Sequence, residues 1–152
     1  MKNMIELYTI GFTQKNAEQF FLLLKKYKIE YLADVRLNNA SQLAGYTKSV
    51  DLAYFLKNLI DVQYVHSEEW APTKEILSNY RNKKITWEEY ERLYLDLIKK
   101  RNVEKKFLSF FSKGITRICL LCSEVEASQC HRRLLANYLK DKLGEEVKIV
   151  HI

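Results

Sequence analysis

The sequence predicts an α/β fold: a three-layer α/β/α sandwich built on a mostly parallel sheet of about five strands. Two observations lead there. Short apolar runs suited to strands alternate with longer segments whose apolar residues recur at helical spacing, the order expected of βαβ units. The run Ile115-Thr116-Arg117-Ile118-Cys119-Leu120-Leu121-Cys122 is the most apolar strand candidate, as a central parallel strand covered on both faces requires. The 152 residues read as one domain, residues 1–152, long enough for one sizeable core and too short for two.

Each element follows in order. Ile5 to Ile10 reads as the first strand, ended by Gly11. Thr13 is a candidate cap for a helix bearing Phe20, Leu23, Leu24 and Tyr27. Ile29 to Val35 is the second strand. Leu52, Phe55, Leu56 and Leu59 mark a helix with Ser49 as its expected cap, and Val62 to Val65 is a short third strand. Thr73, after Pro72, starts a short helix with Ile76, Leu77 and Tyr80. Thr86-x-x-Glu89 has the form of a capping box, and Trp87, Tyr90, Tyr94, Leu97, Ile98 and Arg101 follow on one helical face. Val103, Phe107, Phe110 and Phe111 continue helical spacing to Gly114. After the central strand, Ser128 is the expected N-cap of a helix carrying Leu134, Leu135, Tyr138 and Leu139, and Val147 to Ile152 closes the sheet.

Composition bounds the function more loosely. The formal net charge of +6 favours acidic partners such as a small anionic ligand, a nucleotide or nucleic acid, although lysines on solvated faces produce the same balance. No stretch approaches the roughly 20 apolar residues that span a bilayer, so no membrane association is expected. The start, Met1-Lys2-Asn3-Met4-Ile5, lacks the apolar run of a signal peptide. With Cys119, Cys122 and Cys130 an odd set, a cytoplasmic protein with reduced thiols is expected. Nothing specifies an oligomeric state.

In open parallel sheets, sites form beyond the carboxyl ends of the strands. Polar residues gather at those ends: Gly11 to Thr13 after the first strand, Asp34, Arg36 and Ser41 after the second, His66, Glu68 and Glu69 after the third. The central strand delivers Cys122, Ser123 and Glu124, and then the turn to Cys130-His131-Arg132. A helix capped at Ser128 would offer unpaired N–H groups and a positive dipole end at Gln129, Cys130 and His131, a setting that favours an anion or a thiolate. Arg132 and Arg36 can each grip a phosphate or carboxylate through paired donors. His131 suits proton transfer near neutrality, with Glu124 or Asp34 to orient it or to act as base.

These residues carry a resemblance to a known family, the domain of unknown function 488. Its opening Thr-Ile-Gly-His-Ser resembles Thr9-Ile10-Gly11-Phe12-Thr13, and its Asp-Val-Arg-x-x-Pro-x-Ser is similar to the stretch from Asp34-Val35-Arg36 to Ser41. Its Tyr-x-His-x-x-Glu-Leu-Gly-Gly resembles Tyr64-Val65-His66-Ser67-Glu68-Glu69-Trp70-Ala71-Pro72. Its Leu-Cys-Ala-Glu and following Cys-His-Arg resemble Leu121-Cys122-Ser123-Glu124 and Cys130-His131-Arg132, and its Val-x-His-Ile ending is similar to Ile149-Val150-His151-Ile152. The resemblance covers nearly the whole chain and implies an α/β fold with a shared site, without naming a reaction. Phe12 stands where the family carries histidine, Asn39 where it carries proline, and Trp70-Ala71-Pro72 where it carries Leu-Gly-Gly.

Each candidate also has a purely structural reading. Cys130 lies four residues before Leu134 and fits either a reactive thiol or the first rung of an apolar stripe. Asp34 and Arg36 share a strand face and fit either a ligand site or an internal ion pair. Thr13 fits a cap, and His66 with Glu69 fits a loop pair as well as a functional one. Cys119 is core, and the strand-end Cys122 reads as packing. Metal-ligating types occur at Cys122, Cys130, His131 and His66, but Cys-x7-Cys-His matches no zinc module, so no metal and no cofactor are expected. No Cys-x-x-Cys, phosphate-loop or dinucleotide glycine pattern occurs.

The leading expectation is an enzyme acting on a small anionic or nucleotide-like substrate, a nucleic-acid end among them. Arg36 and Arg132 bind the anion, with Gly11, Thr13, Ser41, His66 and Glu69 around it. His131, Glu124 and Asp34 move protons, and Cys130 is a secondary nucleophile. Consecutive helical residues point about 100° apart, so Arg132, His131 and the helix start carry this expectation more than Cys130 does. The alternative is a non-catalytic nucleic-acid-binding or regulatory domain using the basic run Lys99, Lys100, Arg101, Lys105, Lys106, Lys113 and Arg117. A third reading makes the cluster a buried network that holds the sheet rim together.

Overall fold

The structure, a computed structural model, describes residues 4–38, 45–122, 130–144 and 146–152. Strands β1 (Ile5–Gly11), β2 (Tyr31–Asp34), β3 (Gln63–His66), β4 (Arg117–Cys122) and β5 (Val147–His151) form one sheet in the order β3-β2-β4-β1-β5. Every pairing is parallel, so the expected mostly parallel sheet is wholly so. Around it lie α1 (Ala17–Lys26), α2 (Ser49–Ile60), α3 (Lys74–Arg81), α4 (Trp87–Arg101), α5 (Glu104–Ser112) and α6 (His131–Leu143).

The period-2 alternation of β4 sorts its side chains into two cores. Ile118, Leu120 and Cys122 pack with Tyr94, Ile98, Phe107, Leu134, Leu135 and Leu139 from α4, α5 and α6. Cys119 and Leu121 face the other way, onto Phe20, Phe21, Leu24, Leu52 and Leu56 of α1 and α2. That makes three layers, with β4 in the middle of the sheet and nearly all of its residues buried.

Handedness places the site. Right-handed crossovers require a chain moving toward one sheet edge to lay its helices on one face, and a chain moving back to lay them on the other. From β1 through β2 to β3 the connecting helices are α1 and α2; from β3 through β4 to β5 they are α3 to α6, on the opposite face. The neighbours β2 and β4 therefore send their chains in opposite directions, and a crevice opens beyond their carboxyl ends.

Element types match the sequence reading, while the helix starts differ. Asn16, not Thr13, caps α1: its side chain accepts from Gln19 N at 2.8 Å, and the Gln19 side chain accepts from Asn16 N at 2.9 Å. Thr13 precedes Gln14, whose φ of 61° is incompatible with a helical first turn. Ser49 is the first residue of α2 rather than its cap, and Lys48 before it makes no side-chain capping bond. Thr73 and Thr86 do cap α3 and α4, accepting from Ile76 N at 3.1 Å and Glu89 N at 3.2 Å. The last helix starts later than expected. Cys130 is extended, at φ −138° and ψ 140°, and occupies the cap, so His131 is the first helical residue. Ser128 lies outside the described residues.

The α4 layer is tied to the loop after β3 by a buried bond from the Tyr94 hydroxyl to the Trp70 carbonyl at 2.6 Å. Tyr94→Phe should lower the stability to urea unfolding by about 1–2 kcal/mol, with the slope of the transition unchanged. An unchanged midpoint would show that the bond contributes nothing net.

Candidate functional site

At the end of β2, an extended chain turns Asp34 and Arg36 to the same side, and both are buried. Arg36 Nε donates to Asp34 Oδ1 at 2.8 Å and Nη2 to Asp34 Oδ2 at 2.8 Å, a two-point contact that uses the fork of the guanidinium. The remaining contacts tie this pair into the rim. Arg36 N donates to Asp34 Oδ1, the Tyr64 hydroxyl donates to Asp34 Oδ2 at 2.6 Å, and Arg36 Nη2 donates to the Thr47 carbonyl at 2.6 Å. Burial works against the Arg36 cation, but the bond and the charge of Asp34 outweigh it and hold the guanidinium above its ordinary pKa. The Arg36 guanidinium also lies 5.3 Å from the centre of the Phe12 ring. Phe12 is thus a packing surface for this cation.

His66 stands opposite Asp34 in the β2–β3 register, and its Nε2 bonds the Arg36 carbonyl at 2.9 Å. It braces the β2 end rather than bordering the crevice. Glu69 is exposed, and its carbonyl, with those of Glu68 and Ala71, receives Arg101 Nη1. Trp70 is fully buried against Phe107, with Lys106 Nζ 4.9 Å from its ring centre. Gly11 ends β1 opposite Cys122, and its carbonyl accepts from Lys15 Nζ at 2.8 Å. Thr13 is exposed and lies in a separate surface depression with Gln14, Lys15 and Gln19.

Cys122 at the end of β4 meets Cys130 and His131 at the start of α6, and all three are buried. His131 Nε2 is 2.7 Å from the carbonyl of Val35. A carbonyl only accepts, so Nε2 carries the hydrogen and Nδ1 is the basic nitrogen of the neutral ring. Cys122 Sγ lies 3.7 Å from Nδ1 and 3.8 Å from Nε2, alongside the ring. The Tyr94 ring meets the imidazole edge-on, centroid to centroid 5.4 Å, and holds its plane. Cys122, by hydrogen bond first and then charge, acts with burial to push the Cys130 thiol well above its ordinary pKa, against the pull of His131. The two sulfurs and a ring nitrogen of His131 all lie within 4.8 Å of one another, a set of atoms suited to a metal ion. Arg132 points elsewhere: it is 1% exposed, with Nη1 4.0 Å from Cys130 Sγ, and does not border the crevice.

The crevice is a pocket of about 550 Å³. Its floor is Cys122, Cys130 and His131, with Arg36 on one wall. The facing wall was not foreseen: α3 supplies Lys74, Leu77, Ser78 and Arg81, and Tyr90 closes the pocket from α4. Lys74, Leu77, Ser78 and Arg81 follow the i, i+3, i+4, i+7 spacing of one helical stripe, and that spacing was the available signal. Among the described lining residues there are three cations, Arg36, Lys74 and Arg81, and no carboxylate.

Residues 16–139 match the family model described as Domain of unknown function DUF488. The chain belongs to that family. No curated protein and no solved structure matches it. In this DUF488 protein the crevice lining takes Arg36, Cys130 and His131 from the expected site together with Cys122, Asp34 is buried behind Arg36, and Gly11, Thr13, His66, Glu69 and Arg132 lie outside the lining. Ser41 and Glu124 lie outside the described residues, so their part is not assigned.

The basic run of the alternative reading is partly committed within the chain. Arg101 serves the loop carbonyls, Lys106 covers Trp70, and Arg117 bonds the Tyr27 carbonyl at 3.0 Å and Glu6 at 3.3 Å.

Removing one partner of a buried, bidentate pair leaves the other charge uncompensated. Asp34→Asn should therefore destabilise the fold by about 3 kcal/mol or more, while Asp34→Asn with Arg36→Met recovers much of the loss. Urea denaturation of the two variants decides this, and a double variant no better than the single would refute it.

Proposed function

We propose that this DUF488 protein is an enzyme acting on a small anionic, nucleotide-like substrate held in the crevice between β2 and β4. One observation supports this above the others: a thiol–imidazole floor, Cys122 with His131, lies beneath walls that bring three cations and no described carboxylate to one pocket. An apolar pocket with a few convergent polar groups at a topological switch point is the usual setting of a small-molecule site, and unbalanced positive charge there selects an anion.

The roles differ from those expected of the residues alone. The fork of Arg36 is engaged by Asp34, so the attraction for an anion comes chiefly from Lys74 and Arg81, with the N-terminus of α6 beside them. Asp34 accepts four hydrogen bonds through its two oxygens and acts as a positioning residue for Arg36 rather than as a base. His131 is the proton acceptor: with Nε2–H held by Val35, its Nδ1 takes a proton from the floor, the Cys122 thiol being the adjacent group. The Cys130 thiol, pushed up by its surroundings, is a poor nucleophile.

The test uses inorganic phosphate and nucleoside monophosphates against the full chain. Calorimetric titration should show saturable binding that Lys74→Ala with Arg81→Ala weakens roughly tenfold or more, since hydrogen bonds to charged groups contribute about 1.5–3 kcal/mol each and both residues are exposed. A bound anion should also slow alkylation of Cys122, read by peptide mass spectrometry. Affinity that ignores the double variant, or alkylation that ignores the anion, would place the ligand elsewhere.

A further inference from the structure

We propose that Cys122, Cys130 and His131 form a binding site for a thiophilic divalent cation, zinc foremost, with one coordination position open to the crevice. The proposal uses the same floor as the anion reading and does not depend on it: with the ion bound, His131 Nδ1 is a ligand and not a proton acceptor, while anion binding by Lys74 and Arg81 is untouched.

The ligand set comes first. Two cysteine sulfurs and an imidazole are soft and borderline donors, which select zinc over magnesium or calcium. In a tetrahedral zinc site, bonds of about 2.3 Å to sulfur and about 2.0 Å to nitrogen set ligand atoms roughly 3.5–3.8 Å apart. Cys122 Sγ and His131 Nδ1 are 3.7 Å apart, and the two sulfurs and a ring nitrogen lie within 4.8 Å of one another, about 1 Å beyond the tetrahedral spacing at most.

The outer contacts agree with this assignment. A metal-bound histidine donates its other N–H to a carbonyl or carboxylate, and that bond fixes both tautomer and ring plane. His131 does so at 2.7 Å to Val35, with Tyr94 packed edge-on against the ring. Arg132 Nη1 lies 4.0 Å from Cys130 Sγ on the side away from the pocket lining. As each sulfur–metal bond forms, the thiol releases its proton to solvent, and two thiolates with a divalent ion leave the buried site neutral. Three protein ligands facing a pocket, with a fourth position for water or substrate, is the pattern of catalytic rather than structural zinc.

The ligands are spaced Cys-x7-Cys-His in the sequence, unlike the compact pairs of zinc modules. The fold explains this: one ligand ends β4 and two begin α6, and the switch-point geometry brings them together.

The experiment titrates the reduced, chelator-treated full chain with Co²⁺ in the absence of oxygen. One equivalent should produce thiolate-to-cobalt charge-transfer absorption with the visible bands of tetrahedral cobalt, and Zn²⁺ should displace it. Cys122→Ser and Cys130→Ser should each weaken binding by about a hundredfold or more. Cys119→Ala, in the opposite core, should leave it unchanged. In the unaltered chain, Zn²⁺ should protect Cys122 and Cys130 from alkylation, a readout that does not depend on any variant folding. Absent charge-transfer absorption, absorption that survives both serine variants, or no protection by Zn²⁺ would overturn the site. Cobalt binding in a protein indifferent to phosphate upholds the metal site and sinks the anion reading; phosphate binding in a protein that takes no cobalt does the reverse.

Discussion

The site depends on the bond from His131 Nε2–H to the carbonyl of Val35. It joins the first residue of α6 to the chain just past β2, reaching over the end of β4 between them. Three consequences follow. The bond settles which imidazole nitrogen is basic. It sets the ring beside Cys122, whose Sγ lies 3.7 Å from Nδ1 and 3.8 Å from Nε2. It also fixes where α6 begins, because a helix whose first side chain is held by a neighbouring strand has little freedom to start a turn earlier. The floor of the crevice is therefore preorganised by backbone, and a backbone carbonyl is a fixed partner that side-chain substitution cannot remove.

The buried pair of Asp34 and Arg36 does different work. Ion pairs of this kind contribute little net stability, since desolvating both charges offsets their attraction. Its value lies in position. Four acceptor contacts on Asp34 and the Thr47 carbonyl on Arg36 fasten the end of β2 to β3 and to the turn before α2, and the Arg36 carbonyl is fastened in turn by His66. The residue between them is Val35, whose carbonyl holds His131. Charges at 34 and 36 thus stiffen the peptide on which the imidazole depends, and Phe12 completes the packing against Arg36. A residue beside the crevice can be essential to its geometry without touching a ligand.

Much of this was legible in the sequence because strong periodicity survives tertiary context. The five strands, the α1-to-α6 order and the parallel sheet follow from apolar runs alternating with 3.6-period segments. The rule that sites form at carboxyl ends of parallel strands singled out Asp34, Arg36, Cys130 and His131 as candidates, and the structure brings them together beyond β2 and β4. Capping was less legible: Thr13, Asn16 and Ser49 are all good cap types within a few residues of a helix start, and only the local φ of Gln14 and the reciprocal Asn16–Gln19 bonds separate them. Arg132 was misjudged for a related reason. Its orientation depends on the phase of α6, and a start at His131 rather than two residues earlier rotates every later side chain. Lys74 and Arg81 were not foreseen because a polar stripe on a short helix reads as solvated until another element faces it.

The phase of α6 also accounts for a triplet of such different residues at one turn. Cys130, still extended, drops its sulfur to the floor beside Cys122. His131, the first helical residue, reaches across to β2. Arg132 is buried outside the pocket lining, with Nη1 4.0 Å from the Cys130 sulfur. A helix beginning one residue earlier would swing the imidazole off Val35. The order cysteine, histidine, arginine is therefore the order in which a chain passing from extended to helical conformation presents the floor, the cross-strand bond and the buried charge. Any chemistry at this crevice has to be compatible with all three, and a site that takes a thiolate, an imidazole nitrogen and a nearby cation together meets that condition.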